Sequence, residues 1–342
     1  MRIFSGIQPT GRKHLGNYIG AIRGYLDGQE RGNPAIYCIV DLHATSVSYQ
    51  PEALPGYVLD TTAMLMAAGL DPDRCILFRQ SDLSEHSQLC WLLSSVTPYG
   101  DLQRMHQFKD KAEREQELVR ASLFLYPVLQ AADILLYRTD AVPVGDDQRQ
   151  HIELAREVAR RFNAIYGEVF VEPAHVIPEI GARIMDLQEP STKMSTTGGT
   201  EAGLVYIDDE ADAIIKKIKR AQTDSGSDIV RAPDKAGITN LIDIYSVARG
   251  VPPEDVEREF AGQGYGAFKE AVGTATAELL APVRERYLEL RADEAALERT
   301  LQHGADRARE IAVPVMADVH SVMGLGQRRS GRSDALFVRA AR

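Results

Sequence analysis

The sequence predicts a doubly wound, Rossmann-like parallel α/β sheet followed by a second, smaller all-helical domain. Three observations predict it. Short apolar runs alternate with amphipathic stretches through the first half of the chain. Three of those runs each end in a polar cluster. Beyond about residue 190 the strand signal fades and helical periodicity takes over.

Taken in order, a first strand runs into the glycine-rich turn Gly6 to Gly11, with a helix starting near Gly16. Ile36-Tyr37-Cys38-Ile39-Val40 is β-branched and aromatic, and it stops at Asp41. Cys75-Ile76-Leu77-Phe78 repeats the pattern before Arg79-Gln80-Ser81-Asp82, and Ala141-Val142-Pro143-Val144 repeats it before Gly145-Asp146-Asp147-Gln148. In open doubly wound sheets ligands sit outside the carboxyl ends of the strands, so these polar clusters are expected to converge on one crevice. Ile152, Ala155, Val158, Ala159 and Phe162 recur at helical spacing, giving an amphipathic helix with one face on the sheet. Leu204 to Ile207 is the one later strand signal. Asp208-Asp209-Glu210 opens a helix that Lys216, Lys217, Lys219 and Arg220 close, the charge order a helix macrodipole favours. Gly198-Gly199 marks a mobile loop at the junction. The domains are therefore set at 1–190 and 191–342, with the C-terminal helix able to pack back on the first.

Composition narrows the classes. With 44% hydrophobic residues in 342, the chain can bury a large core. A net charge of -10 excludes a protein that coats nucleic acid indiscriminately, DNA included, because that task is phosphate neutralisation. Local basic clusters at Lys216 to Arg220 and at Arg328, Arg329 and Arg332 leave RNA binding open. No apolar run reaches the roughly 18 residues a membrane span needs, and Cys38, Cys75 and Cys90 form no disulfide or zinc pattern, so a soluble cytoplasmic protein is expected. Trp91, the sole tryptophan, reads as a core residue.

Two segments carry chemistry. Gly6-Ile7-Gln8-Pro9-Thr10-Gly11-Arg12-Lys13-His14-Leu15-Gly16-Asn17 passes from a strand through a glycine-rich turn into a helix, so backbone N–H groups and a helix N-terminus face a bound anion. It is a nucleotide phosphate cradle without the dinucleotide fingerprint or a Walker lysine. His14 can donate to a phosphate oxygen, and Gly16 leaves room for an adenine ring. Near the junction, Lys193-Met194-Ser195-Thr196-Thr197 places a lysine on a polar loop, able to meet charge developing on departing pyrophosphate.

His14-Leu15-Gly16-Asn17 resembles the HIGH signature, and Lys193 to Thr197 the KMSKS signature, of class I aminoacyl-tRNA synthetases. The stretches Ile3 to Ile22, Cys38 to Ala44, Met105 to Lys111, Tyr126 to Tyr137, Val142 to Asn163, Gly181 to Met185, Lys216 to Ser225 and Gly264 to Lys269 resemble the bacterial tryptophanyl-tRNA synthetases. That resemblance implies an ATP site of Gln8, Pro9, Thr10, Gly16, Asn17, Gly145, Asp146, Asp147 and Ile184, completed by Lys193, Met194, Ser195, Thr196 and Thr197. It implies that Asp133 takes the indole N–H, with Phe4, Val142 and Val144 around the ring and His43 and Gln130 lining the pocket. Tyr126 and Gln148 would hold the α-amino group, and Lys111 with Lys193 the triphosphate. The catalytic set is then His14, Lys111, Lys193 and Ser195. ATP with its Mg²⁺, tryptophan, tRNA(Trp) and a second copy of the chain are the implied ligands and partners; the metal travels with ATP. The chemistry is in-line attack of the amino acid carboxylate on the α-phosphorus, with no covalent enzyme intermediate.

Two departures qualify the resemblance. Thr196 stands where the signature has its second lysine, which predicts slower or more weakly ATP-bound activation. Gln130 stands where bacterial relatives usually carry methionine, as in tyrosyl and eukaryotic tryptophanyl enzymes, and is expected to alter discrimination among analogues and inhibitors. Tyrosyl-tRNA synthetase, a nucleotidyltransferase of the same fold and a tryptophan-binding regulatory paralogue are the alternatives.

Overall fold

The computed structural model describes residues 1–9, 11–32, 34–105, 120–145, 148–176, 183–195 and 199–326. Among these residues five parallel strands form the sheet: β1 (Ile3–Ile7), β2 (Ala35–Ile39), β3 (Ile76–Arg79), β4 (Ala141–Pro143) and β5 (Ala174–Val176). Their order is β3-β2-β1-β4-β5. The direction of winding reverses between β1 and β4, so the loops leaving these two strands diverge and open a crevice there. β1 meets β4 only through Ile3 and Ala141, whereas it pairs with β2 along its full length.

Both faces of the sheet are covered, and successive side chains of β2 serve opposite cores as strand geometry requires. Ala35, Tyr37 and Ile39 join the cluster that holds Leu15, Ile19, Val58 and Leu65, while Ile36 and Cys38 join the one that holds Leu89, Val128, Ile152 and Phe162. The first cluster continues without a break into Ile184, Leu204, Ile238, Phe268 and Leu301, so the later helices share the sheet's own core.

β5 gives little sequence signal, because Pro173 precedes it and its residues are exposed or half-buried at the sheet edge. Leu204 to Ile207 is not a strand. Its backbone pairs with the cradle instead: Leu15 N donates to Val205 O at 2.8 Å and Ile207 N to Lys13 O at 3.0 Å. The helix anticipated from the charge order runs Ala211–Lys219.

The Glu294–Met323 helix covers the other edge, β3. Gly304 makes that possible, since a Cβ there would stand 1.8 Å from Leu77 O. Arg307 donates to Pro72 O and Cys75 O, and Arg309 to Asp82 O, fastening the helix beside β3.

Candidate active site

The cradle forms where β1 ends. Gln8 is exposed and Pro9 buried beyond Ile7, and Lys13 Nζ donates to Gln8 O at 2.8 Å, closing the turn on itself. His14 caps the short Leu15–Asn17 helix. Asn17 N donates to His14 Nδ1 at 3.3 Å, and His14 N donates to Asn17 Oδ1 at 3.1 Å. Burial, reinforced by the charges of Lys13 and Lys193, pushes the His14 imidazole down to about 4. The ring is therefore neutral near pH 7. With Nδ1 accepting, its proton sits on Nε2, which is the donor the sequence assigned to a phosphate oxygen. Burial likewise pushes the Lys13 ammonium down to about 8, against the pull of Asp60.

The lysine-bearing loop packs directly on this cradle. A Cβ on Gly16 would lie 3.4 Å from Met194 Cβ and 3.0 Å from His14 Nδ1, so glycine lets the two signatures touch. Met194 is buried, its N–H donates to Ile184 O, and Lys193 pairs with Met185 across a short antiparallel bridge. Lys193 is thus exposed at the lip of the cradle and Ser195 follows it half-buried. Asn240, on the Ala236–Arg249 helix, grips the hairpin from beneath: it accepts from Met185 N at 2.8 Å and donates to Met185 O at 3.0 Å. Gly145 lies exposed past the end of β4, the neighbour of β1, and Gln148 N donates back to its carbonyl.

The second half of the site surrounds Asp133, which is 1% exposed. Tyr126, Gln130 and Asp133 fall at i, i+4 and i+7 of the Ala121–Leu135 helix and share one face of it. Gln80 Nε2 donates to Asp133 Oδ1 at 2.6 Å, His86 Nδ1 lies 2.7 Å from the same oxygen, and His43 Nε2 lies 2.8 Å from Oδ2. Burial alone would raise this carboxyl; the hydrogen bonds from His43 and His86 outweigh it and hold the group at about 2. Asp133 is an anion throughout the physiological range. His43 stands edge-on to the Tyr126 ring at 6.4 Å, and Tyr126 O–H lies 2.8 Å from His151 Nε2. Val142 is buried, whereas Val144, Gln148 and Gln130 are half-buried. Phe4 stacks on Tyr137 at 5.7 Å.

Sequence reasoning missed Gln80, His86, Tyr137, His151 and Asn240. Gln80 sits in the polar cluster closing β3, which was the available signal; the others have none. Trp91 is 76% exposed, not in the core, because its position on the Glu85–Ser94 helix faces away from Leu89 and Leu93. Two members of the basic cluster are engaged within the fold. Lys217 Nζ pairs with Asp209 at 2.8 Å and with Glu201, and Lys219 pairs with Glu270. Thr10, Lys111, Asp146, Asp147, Thr196, Thr197 and the arginines from 328 onward lie outside the described residues.

The family description tRNA synthetases class I (W and Y) matches residues 1–281. The chain belongs to the class I tryptophanyl and tyrosyl tRNA synthetases. Among relatives of this synthetase family, the tryptophan–tRNA ligase of Wolinella succinogenes is 46% identical over 95% of this chain and 98% of its own. One from Streptomyces avermitilis is 45% identical over the same shares. The fold matches tryptophanyl-tRNA synthetase of Mycoplasma pneumoniae with a TM-score of 0.87 at 35% identity, covering 95% of this chain and 98% of that one. It also matches the Campylobacter jejuni enzyme, solved with ADP and tryptophan, with a TM-score of 0.82 at 33% identity, covering 95% and 100%. Among the described residues no helix is long and apolar enough to cross a membrane.

Proposed function

We propose that this chain is a cytoplasmic tryptophan–tRNA ligase that activates L-tryptophan with ATP and passes it to the 3′ end of tRNA(Trp), releasing AMP and pyrophosphate. The observation that carries the tryptophan assignment is Asp133, a carboxylate kept ionised at full burial. An indole presents one N–H donor on an otherwise apolar ring. An anion waiting in an apolar slot rewards that donor and is left wanting by phenylalanine.

In this reading ATP lies across the switch point, its phosphates at the His14-to-Asn17 helix start and Lys193, its adenosine between Gly16, Ile184 and Gly145. Gln8, Pro9 and Thr10 wall it, and Asp146 and Asp147 complete the nucleoside contacts. Mg²⁺, when bound with ATP, would supply charge neutralisation at the phosphates; His14, Asn17 and Lys193 are groups suited to phosphate oxygens rather than to a cation. Tyr126 and Gln148 hold the amino acid's ammonium, which turns its carboxylate toward the α-phosphorus. Attack in line then forms the adenylate, and Lys193 and Lys111, with Ser195 and Met194 to Thr197, meet the charge on pyrophosphate. The enzyme's contribution is position and preorganised charge, and no protein nucleophile is required.

Residues 1–190 serve as the catalytic domain and 191–342 as the loop and tRNA-binding helical domain. A homodimer is supported by the exposed apolar side chains Trp91, Tyr99 and Leu125, where Tyr99 also meets Phe124 at 5.2 Å. Trp91→Glu is expected to shift the sedimentation coefficient to that of a monomer. ATP–pyrophosphate exchange is expected with tryptophan and not with tyrosine, followed by charging of bulk tRNA with tryptophan. Exchange driven by tyrosine, or activation without tRNA charging, would overturn the assignment.

A further inference from the structure

We infer that His86, backed by Tyr137, is a positioning residue for side-chain selectivity: it fixes the Asp133 carboxylate so that a single lone pair, on Oδ2, is left to receive the substrate's N–H. The inference rests on the pairing of Asp133 with the indole proposed above.

The argument begins with proton counting. An ionised carboxylate only accepts, so the His86 nitrogen 2.7 Å from Oδ1 must carry hydrogen. In the neutral ring the other nitrogen, Nε2, is then an acceptor, and Tyr137 O–H, 2.8 Å away, donates to it. His86 and Tyr137 are both fully buried. Tyr137 is itself immobilised by Phe4 stacked on it and by Phe78 edge-on at 6.0 Å. A chain of hydrogen bonds therefore runs from Tyr137 through His86 into Asp133.

That chain decides which oxygen is available. Oδ1 already accepts from Gln80 and His86, which fills its two lone pairs. Among the described residues Oδ2 accepts from His43 alone. Gln80 also accepts from Leu42 N at 3.1 Å, so it holds the start of the Asp41–Ala44 helix that carries His43. Rotation of the carboxylate would break bonds on both oxygens together. The open lone pair is consequently held in one direction, on the side of His43, and a substrate with a donor at the matching atom is favoured over an isostere without one.

The test compares tryptophan with its sulfur isostere, β-(3-benzothienyl)alanine, in ATP–pyrophosphate exchange, using the ratio of their kcat/KM values. His86→Ala is expected to lower that ratio about tenfold, the worth of a directed hydrogen bond to a charged group, with the KM for ATP unchanged. His86→Asn, whose amide nitrogen replaces Nδ1, is expected to restore most of it. Tyr137→Phe is expected to lower the ratio in the native background and to have no further effect in His86→Ala or His86→Asn, because Tyr137 acts only through the ring. If His86→Ala does not fold, His86→Asn and Tyr137→Phe carry the test. Equal losses on both substrates, or a ratio that Tyr137→Phe leaves unmoved, would overturn the inference. Asp133→Asn separates it from its foundation: if that variant keeps the native ratio, the indole pairing itself is wrong, whereas a collapsed ratio with an inert His86 refutes only the positioning role.

Discussion

Replacing Gly304 by alanine tests how tightly the C-terminal helix is bound to the catalytic sheet. The added Cβ would stand 1.8 Å from Leu77 O and 2.6 Å from Leu77 C, whereas ordinary contact begins near 3.4 Å. Both groups are backbone, so the helix must retreat from β3 by about 1.6 Å. Arg307 holds Pro72 O at 2.7 Å and Cys75 O at 2.8 Å, and Arg309 holds Asp82 O at 2.8 Å. A retreat of that size carries all three beyond hydrogen-bonding range. Overpacking costs about 1–3 kcal/mol and the lost bonds about 1 kcal/mol each before relaxation. The expected loss is therefore about 4–6 kcal/mol, a large share of the 5–15 kcal/mol typical of a folded protein. Urea unfolding followed by far-ultraviolet circular dichroism measures it; the single tryptophan is exposed and reports poorly. Gly266→Ala is the control, since its Cβ would meet nothing within 4 Å and helix propensity favours alanine. If the two variants unfold within about 0.5 kcal/mol of each other, the close approach at Gly304 is not what holds this edge. Because Asp82 follows Gln80 by two residues, Gly304→Ala should also raise the KM for tryptophan.

Asn240→Ala removes both bonds to the Met185 backbone and leaves two polar groups unpaired, which is expected to destabilise by about 2 kcal/mol and to raise the KM for ATP while sparing that for tryptophan; equal effects on both substrates would refute it. Lys13 has a folded-state pKa near 8 against 10.5 unfolded, so between these values the unfolded chain binds more protons and stability rises with pH. Lys13→Met should erase that component, read as a smaller gain in urea midpoint from pH 8 to pH 10; an unchanged gain would show that the ammonium is not desolvated. Thr196→Lys is expected to raise kcat or lower the KM for ATP in pyrophosphate exchange, and identical constants would show that the missing lysine does not limit activation.

The catalytic half of the fold is legible because its cues are local. Each strand of Ile36 to Val40, Cys75 to Phe78 and Ala141 to Val144 is a run of apolar residues ended by polar ones, and a buried parallel strand needs nothing more. β5 escaped because three edge residues bury too little to leave a pattern. Leu204 to Ile207 has a strand's composition, yet its backbone bonds to Lys13 and Leu15 rather than into the sheet. Trp91 misled because an apolar residue on a helix is ordinarily inward, and which face is inward is set by what packs there.

Order along the chain made the proposed phosphate cradle legible: strand, glycine turn, capping histidine and helix follow one another in sequence. The resemblance to a known family supplied Asp133. Tertiary structure alone decided what keeps that carboxylate an anion. Gln80, His86 and His43 lie 53, 47 and 90 residues from it in sequence, and come from a strand end and two helices. A hydrogen bond is won or lost within a few tenths of an ångström, and at such separations only the sheet's register and the packing of helices against it determine which donors arrive.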